Sequence, residues 1–520
     1  MRRNWWTLAA VCVGTFMLLL DITVVMVALP PIQRALDASF SELQWVVDAY
    51  ALTLSAALLT AGSLADRLGH RRLFVLGLGL FSLASLLCGL AQSPLMLILT
   101  RGLQGLGGAV MFSTALALLG HHYRGADRKI AFAVWGAVTG VSVALGPLVG
   151  GALISGLSWR WIFLVNLPVG LIAMAIAKLR VPETRSEAKG HLDLGGFVTF
   201  SAALATLVYA LIRGNPDGFG STSIVACLVA CPLLLLAFVL VERRVERPMF
   251  ELSLLRKPSF AGGAVAAFVV NATMPALLLY IVIYLQNVLG YDALETGLRL
   301  MVMSAGVLVF GAIGGRLSGK APARAVLAAG LAAVGAGMLL MRGLDASSDW
   351  TALIAGLVLG GAGMGLVNPA LASVAVDVVA PERAGMGSGI NTTFRQVGVA
   401  TGIAGLGAIF QHQVVAKAVS GLASLPHVTA SLAHHAAAGF SSGHPAQAIA
   451  ALPPNLRSAG GHIARSAFTS GLNEVFLVAA IVAFAGAMLA LLMVRERDFV
   501  SRPERPQESH PAHEQLAAAT

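Results

Sequence analysis

The chain has 520 residues, of which 57% are hydrophobic and only 12% are charged, and its mean hydropathy is +0.80. Soluble domains carry about 25% charged residues, so this composition excludes an ordinary soluble enzyme, a disordered protein and a disulfide-rich secreted fold. The net charge of +10 would suggest nucleic acid in a soluble protein, but in so apolar a chain it indicates basic loops beside a membrane. The composition therefore predicts an integral membrane protein with no nucleic-acid partner.

Fourteen runs of mostly apolar residues are each long enough to cross about 30 Å of hydrocarbon as a helix. They predict an all-α protein with spans at 6–29, 43–63, 73–91, 95–118, 130–155, 160–177, 194–212, 222–241, 259–287, 295–315, 325–341, 351–375, 389–411 and 472–494. Two polar stretches remain. We expect residues 412–471 to form a long outer loop and residues 495–520 to form a disordered tail.

The basic residues lie mainly between alternate spans. With the N-terminus inside, 25 of the 35 Lys and Arg residues lie in inner segments and 7 lie in outer segments or at outer helix ends. The remaining three, Arg101, Arg299 and Arg395, lie within spans. Because Lys and Arg concentrate in cytoplasmic loops, we expect a multi-pass protein of the cytoplasmic membrane with both termini in the cytoplasm.

Weak internal repetition divides the chain. Gly62-Ser63-Leu64 recurs as Gly315-Arg316-Leu317, and glycine pairs of the fourth span recur in the twelfth. This repetition predicts an N-terminal six-helix bundle at 1–178, two inserted spans with cytoplasmic linkers at 179–258, and a C-terminal six-helix bundle at 259–494. Duplicated halves around a central site are a common plan for transporters.

The most specific local motif joins the second and third spans, from Gly62 to Arg72. A glycine permits a tight turn, an aspartate can bind a helix N-terminus or an arginine, and the arginines favour the inner membrane surface. The alternative is a positive-inside turn with no further role. The residues with these expected roles are Gly62, Asp66, Arg67, Gly69, Arg71 and Arg72.

This segment resembles the signature loop of the major facilitator superfamily. The run from Leu20 to Pro30 resembles the helix 1 motif of its fourteen-helix drug:proton antiporters, although Met26 stands where the family usually has Asn. The run Gly146-Pro147-Leu148-Val149-Gly150-Gly151 resembles their antiporter motif. The resemblance covers nearly the whole chain and points to the methylenomycin-resistance and multidrug branch. It implies the major facilitator fold, with two six-helix bundles, two inserted central helices and 14 transmembrane helices in all.

Small residues of the antiporter motif have a physical use. Gly146, Gly150 and Gly151 allow close approach of neighbouring helices, and Pro147 removes one helical hydrogen bond and can kink the fifth span. A smooth helix of this kind could seal or slide at the interface of the two halves. The alternative is that membrane helices contain many glycines and prolines without such a role.

Charged residues within spans are costly to bury and often mark ion or substrate pathways. Asp21, Asp48 and Arg101 all fall in the outer half of the N-terminal bundle. A carboxylate there can be protonated when desolvated and ionised when it pairs with Arg101, which suits proton coupling or substrate binding. A fixed structural salt bridge is the alternative. In the second half, Arg395 is the first candidate for the same roles.

The resemblance implies a proton-coupled antiporter that exports small, partly hydrophobic drugs or antibiotics by alternating access. Exporting an endogenous metabolite or amino acid is the alternative within transport, and a non-transporting membrane receptor is an alternative of another class. The spans offer no cluster of His, Asp and Glu that would suit an enzyme, and we expect no cofactor and no metal. The expected partners are a small-molecule substrate, protons and membrane lipid, with a periplasmic adaptor if the source is Gram-negative.

Overall fold

The computed structural model describes residues 5–184, 193–245, 248, 250–318, 320–379, 384–425, 428–441 and 445–499. Thirteen helices of this part of the chain are long and apolar enough to cross a membrane, and a fourteenth, the second in the chain, qualifies when its two bent parts count as one span. The count agrees with the fourteen spans predicted from the sequence.

The first half contains six long helices. They are α1 (Trp6–Leu36), α2 (Phe40–Leu68), α3 (His70–Gly89), α4 (Pro94–His122), α5 (Gly125–Gly156) and α6 (Trp161–Arg180). A capping box starts α2: the Ser39 side chain accepts a hydrogen bond from the Glu42 N–H, and the Glu42 carboxylate accepts one from the Ser39 N–H. Gly69, with φ of 102°, makes the turn from α2 into α3, a conformation that favours glycine.

Eight long helices follow. They are α7 (Leu194–Asp217), α8 (Thr222–Glu242), α9 (Pro258–Val288), α10 (Ala293–Leu317), α11 (Ala323–Leu340), α12 (Trp350–Asp377), α13 (Ala384–Ala423) and α14 (Arg457–Met493). The last turn of α9, Tyr284–Val288, is π-helical.

The packing of the first six helices recurs in the last six. In the first half α1 packs against α5 and α6, α4 packs against α2 and α3, and α3 packs against α6. In the second half α9 packs against α13 and α14, α12 packs against α10 and α11, and α11 packs against α14. The halves meet where α5 packs on α10 and α2 on α13, which are equivalent pairs. The predicted fold of two six-helix bundles with two inserted helices is therefore confirmed.

The inserted helices lie beside the junction of the halves. α7 packs against α2 and α13, and α8 packs against α7. Much of the α8 surface is exposed and apolar, including Leu228, Val229, Leu233 and Leu236, as expected of a helix that faces lipid. Near the C-terminus of α7, the Asn215 side chain donates a hydrogen bond to the carbonyl of Ala408 on α13.

The prediction of a long outer loop at 412–471 is wrong for most of that segment. α13 continues to Ala423, shorter helices occupy Ala430–Ser441 and Pro445–Ala450, and α14 begins at Arg457. The segment is polar enough to leave the membrane, but it is rich in alanine, the residue with the highest helix propensity. Alanines of the short helix also pack into the core, where Ala433 and Ala437 are buried.

The prediction of a disordered tail is wrong for residues 495–499. The Ser259 hydroxyl, at the beginning of α9, donates to the Asp498 carboxylate at 2.7 Å and accepts from the Arg495 N–H at 2.7 Å. Residues 495–499 are thereby held against α9. The rest of the predicted tail, 500–520, lies outside the described residues.

The halves touch at one end and separate toward the other. We call the end that carries residues 62–72 the loop end and the opposite end the far end. At the far end Gln286 donates to the Val27 carbonyl at 2.9 Å, and Gln44 donates to the Ile403 carbonyl at 3.0 Å. Both hydrogen bonds join one half to the other.

Glycines on the same helix faces show the separation. On α10, a Cβ at Gly297 would collide with the backbone of Pro147 on α5, whereas a Cβ at Gly315, five turns along the same face, would meet nothing within 4 Å. On α5, Gly151 is similarly tight, and Gly140, three turns nearer the loop end, is open. The space between the halves therefore opens toward the loop end.

Candidate functional site

A buried ion pair occupies the centre of the first half. The Asp21 carboxylate on α1 and the Arg101 guanidinium on α4 are joined by a hydrogen bond of 2.6 Å between Oδ2 and Nη1. The other carboxylate oxygen of Asp21 accepts from Gln104 and from Asn166, each at 2.9 Å. Asp21 is only 2% exposed. The pairing suggested by the sequence is present, and each carboxylate oxygen has a donor.

Three further groups complete this network. The Ser85 hydroxyl on α3 accepts from Gln104 at 2.7 Å, and the Arg101 Nε donates to the Val46 carbonyl on α2 at 3.2 Å. The guanidinium also lies 4.3 Å from the centre of the Tyr50 ring. Five helices of the first half thus share one polar cluster. No sequence pattern marks Ser85, whereas Gln104 could be found from its spacing of three residues from Arg101 on one helix face.

Asp48 does not join that cluster. It is 0% exposed, and neither of its carboxylate oxygens has a hydrogen-bond partner among the described residues. Asp48 follows Gln44 by one turn on the face of α2 that contacts α13. Tyr280 of α9 reaches the same place, because its hydroxyl and the Gln44 amide donate to the same Ile403 carbonyl. Asp48 is therefore buried between the halves, close to their far-end contact.

Arg395 lies on α13, nearer the loop end. Gly398 and Gly402 mark the face of α13 that packs against α9, and Gly407 marks the face that packs against α2. At 100° per residue Arg395 lies about 20° from Gly402 and about 120° from Gly407, on the α9 side of the arc between these two faces. Its Nε is buried, and within the described part of the chain no hydrogen bond or ion pair involves its guanidinium.

The loop motif is held by Glu183, a residue that lies outside every motif of the sequence. Glu183, just after α6, accepts from the Arg71 N–H at 3.0 Å and lies 3.5 Å from the Arg71 Nε and 3.7 Å from the Arg72 Nε. A Cβ at position 69 would lie 2.6 Å from a Glu183 oxygen, so a larger residue would displace this carboxylate in addition to straining the turn.

Asp66 has a different partner from those expected. Its carboxylate lies 3.3 Å from the Nε2 of His70, the first residue of α3. The His70 Nδ1 in turn lies 2.9 Å from the Thr184 carbonyl. Arg67 is exposed, and the space beside Gly62 is open.

The antiporter motif lies where α1, α5 and α10 meet. Gly146 faces Thr23, and a Cβ at Gly150 would lie 3.1 Å from a methyl of Val24, both on α1. A Cβ at Gly151 would lie 2.9 Å from the Leu294 Cα on α10. Gly151 therefore allows the close contact between the halves at the far end, whereas Gly146 and Gly150 allow α5 to pack closely on α1 of the same half.

Two equivalent six-helix halves that meet around an open space, with ionisable groups buried within and between them, define a membrane transporter. Comparison of sequences agrees. The sequence profile of the Major Facilitator Superfamily matches residues 11–403, and the chain belongs to this superfamily. The resemblance inferred from the motifs is confirmed.

Two relatives show the character of this branch. The multidrug resistance protein Stp of Mycobacterium tuberculosis is 37% identical over 409 residues, which cover 78% of this chain and 76% of that protein. The tetracenomycin C resistance and export protein of Streptomyces glaucescens is 32% identical over 527 residues, which cover 100% of this chain and 95% of that protein.

A solved structure supports the fold. The chain is similar to a bacterial homologue of the human lysosomal transporter Spinster in an inward-facing and occupied conformation, with a TM-score of 0.65 and 18% sequence identity. The similarity covers 96% of this chain and 100% of that chain.

Proposed function

We propose that this protein is a proton-coupled antiporter that exports small, partly hydrophobic drugs or antibiotics across the cytoplasmic membrane. The names of its relatives, which include a multidrug resistance protein and an antibiotic export protein, support a drug as cargo. The excess of Lys and Arg at the loop end supports a cytoplasmic position for that end and for both termini. The space between the halves is then open to the cytoplasm, where a drug to be exported would enter.

The proposed proton coupling depends mainly on one observation, the complete burial of Asp48 without a hydrogen-bond partner among the described residues. An ionised carboxylate without a partner in an apolar interior costs several kcal/mol, so the protonated acid is the favoured form in this conformation. Asp48 also lies beside the α2–α13 contact, which must open at the far end when the halves rock. For antiport, Asp48 takes up a proton from the outer solution when the far-end contact opens, keeps it while that contact closes, and releases it toward the loop end when drug binds in the cavity.

Asp21 and Arg101 have a different part in this proposal. Their charges neutralise each other, and Gln104 and Asn166 satisfy the remaining carboxylate oxygen. This arrangement suits a group that keeps its charge while the halves move. We assign Asp21 and Arg101 to holding the first half rigid beside the cavity, and Asp48 to carrying the proton.

The test is a pH-jump flux assay on the full chain in proteoliposomes, with drug-dependent proton movement as the readout. Asp48→Asn keeps the shape of the acid but cannot release a proton, so we expect at least a tenfold loss of drug-driven proton flux while drug still equilibrates down its own gradient. Asp217→Asn is the matched control, because Asp217 is an aspartate of α7 that pairs with Arg213 away from the cavity. Normal coupling in Asp48→Asn would contradict the proposal.

The same assay separates the alternatives. A receptor that does not transport would show neither drug flux nor proton flux. An exporter of an endogenous metabolite or amino acid would show proton flux with that compound, and a drug-susceptibility panel with and without the gene would then show no difference. Function in vesicles that contain only this chain would argue against a required adaptor.

A further inference from the structure

Arg395 carries a charge that no described residue neutralises through a hydrogen bond or an ion pair. It lies in the membrane-spanning part of α13, about 18 Å toward the loop end from the Gly407 contact with α2. Farther toward the loop end the faces of α2 and α13 have separated: a Cβ at Gly62, five turns from Gln44 on the same face of α2, would meet nothing within 4 Å. Arg395 therefore lies between the far-end contact of α2 with α13 and the level at which the two helices have separated.

The other described charges in the middle of the spans offer Arg395 no counter-ion in this conformation. Asp21 is already paired with Arg101. Asp48 lies on α2, but its oxygens have no hydrogen-bond donor, and Arg395 is about one turn nearer the loop end when the antiparallel α2 and α13 are aligned at Gln44 and Ile403. Arg299 is itself a cation and cannot be a counter-ion. It stacks on the Tyr291 ring at the far end and donates to a backbone carbonyl, so it has the same side chain as Arg395 in a different environment.

A guanidinium held in an apolar, partly dry space is unfavourable unless an anion meets it. Its planar fork fits the two oxygens of a carboxylate or sulfonate. We infer that Arg395 binds the acidic group of an anionic, otherwise apolar substrate, which enters the cavity from the loop end. The inference rests on the proposed export function, and it narrows the cargo from drugs in general to amphipathic organic acids.

A matched pair of probes isolates the charge of the ligand. Naphthalene-2-carboxylate and naphthalene-2-carboxamide have the same ring and nearly the same shape, and only the first is ionised at pH 7. Equilibrium binding of each radiolabelled probe to the purified full chain in detergent gives an acid-to-amide affinity ratio. We expect wild-type protein to prefer the acid by about tenfold, because a charge-assisted hydrogen bond is roughly twice as strong as a neutral one.

Substitutions then assign the preference to one side chain. Arg395→Gln should lower acid affinity by about tenfold and leave amide affinity within about twofold, so that the ratio approaches one. Arg395→Lys keeps the charge but not the fork, and its ratio should lie between those of the wild type and Arg395→Gln. Arg299→Gln is the control and should keep the wild-type ratio. The thermal unfolding midpoint of each variant is measured alongside, and if Arg395→Gln does not fold, the ratio of Arg395→Lys decides.

Three results would overturn the inference: wild-type protein that binds neither probe, wild-type protein that binds both equally, or an Arg395 variant that loses both probes to the same extent. Failure of the site can be told from failure of the proposed function. Proton-coupled drug flux without a preference for the acid would contradict the acid site at Arg395 and leave the proposed function intact. An acid preference that depends on Arg395, without proton-coupled flux, would contradict the proton-coupled mechanism and leave the acid site intact.

Discussion

Two aspartates on neighbouring helices of one bundle have opposite environments. Asp21 meets an arginine and two amides, whereas Asp48 meets no donor among the described residues. The same side chain is therefore suited to a permanent charge at one position and to a transferable proton at the other. The sequence indicated both residues because each is a charge within a span. It could not show which of them is paired, because a possible partner can lie far away along the chain.

The Asp21–Arg101 pair should behave as one unit in stability measurements. Asp21→Asn or Arg101→Gln alone leaves one buried charge without its counter-ion, and we expect each to lower the free energy of unfolding by about 3–5 kcal/mol. The double variant removes both charges, so it should be more stable than the sum of the single losses by about 2 kcal/mol or more. Unfolding of the four proteins in the same detergent measures this coupling. Additive losses would show that the pair contributes nothing beyond its separate side chains.

At the scale of helices, glycine positions record where the halves touch. Gly151 on α5 and Gly297 on α10 leave no room for a side chain at the far end, whereas Gly140 and Gly315 have open space on the same faces. One surface therefore serves both as a tight contact and as a cavity wall, depending on the distance from the far end. A rocking motion would exchange these two roles.

Gly151→Val should weaken the far-end contact and favour the conformation that opens there. A β-branched side chain at this position meets the α10 backbone, and overpacking of this kind costs about 1–3 kcal/mol. The open population should then rise by about tenfold. The readout is the labelling rate of a cysteine placed at the buried Ser304, in a background without the native cysteines, by an impermeant thiol reagent added at the far end.

Gly156→Val is the matched control for this experiment. Gly156 lies on the same helix, and a Cβ there meets nothing within 4 Å. Equal labelling rates in the two valine variants would show that the α5–α10 contact does not hold the far end closed. Loss of protein from the membrane in Gly151→Val alone would instead show that the contact is needed for folding.

At the scale of the molecule, two helices extend well beyond a bilayer. α13 has 40 residues and α14 has 37, so each is about 55–60 Å long against a hydrocarbon core of about 30 Å. Both project at the far end, where Gln413 donates to the Ser470 hydroxyl at 3.2 Å and a Cβ at Gly421 would lie 2.9 Å from Ile463. The protein therefore has a helical projection at the far end.

Hydrogen exchange can distinguish this projection from the loop that the sequence suggested. Amides in a continuous helix are hydrogen-bonded, so we expect residues 412–423 and 457–471 to exchange at least 100-fold more slowly than an unstructured peptide of the same sequence. Mass spectrometry of the detergent-solubilised full chain measures this. Exchange as fast as that of the exposed connection 343–349 would mean that the two helices end at the membrane surface.

The sequence by itself determined the class of the protein, its fourteen spans and its family, because hydropathy and the quoted motifs are local properties of the chain. It could also indicate which charges were unusual, since any charge inside an apolar run is costly. The polarity of 412–471 led to the wrong structure because leaving the membrane and losing the helix are different events. Local composition determines the first, and alanine-rich helix propensity with packing determines the second.

Only the tertiary structure decided how the charges are used. Asp21 and Arg101 are 80 residues apart and Arg71 and Glu183 are 112 apart, so their meeting depends on how whole helices pack. The isolation of Asp48 and Arg395 likewise depends on what neighbouring helices fail to supply in this conformation. A pairing is a property of two surfaces, and one stretch of sequence carries only one of them. For that reason the sequence could name the candidate residues, while the arrangement of the halves separated the fixed pair from the two charges that have no partner among the described residues.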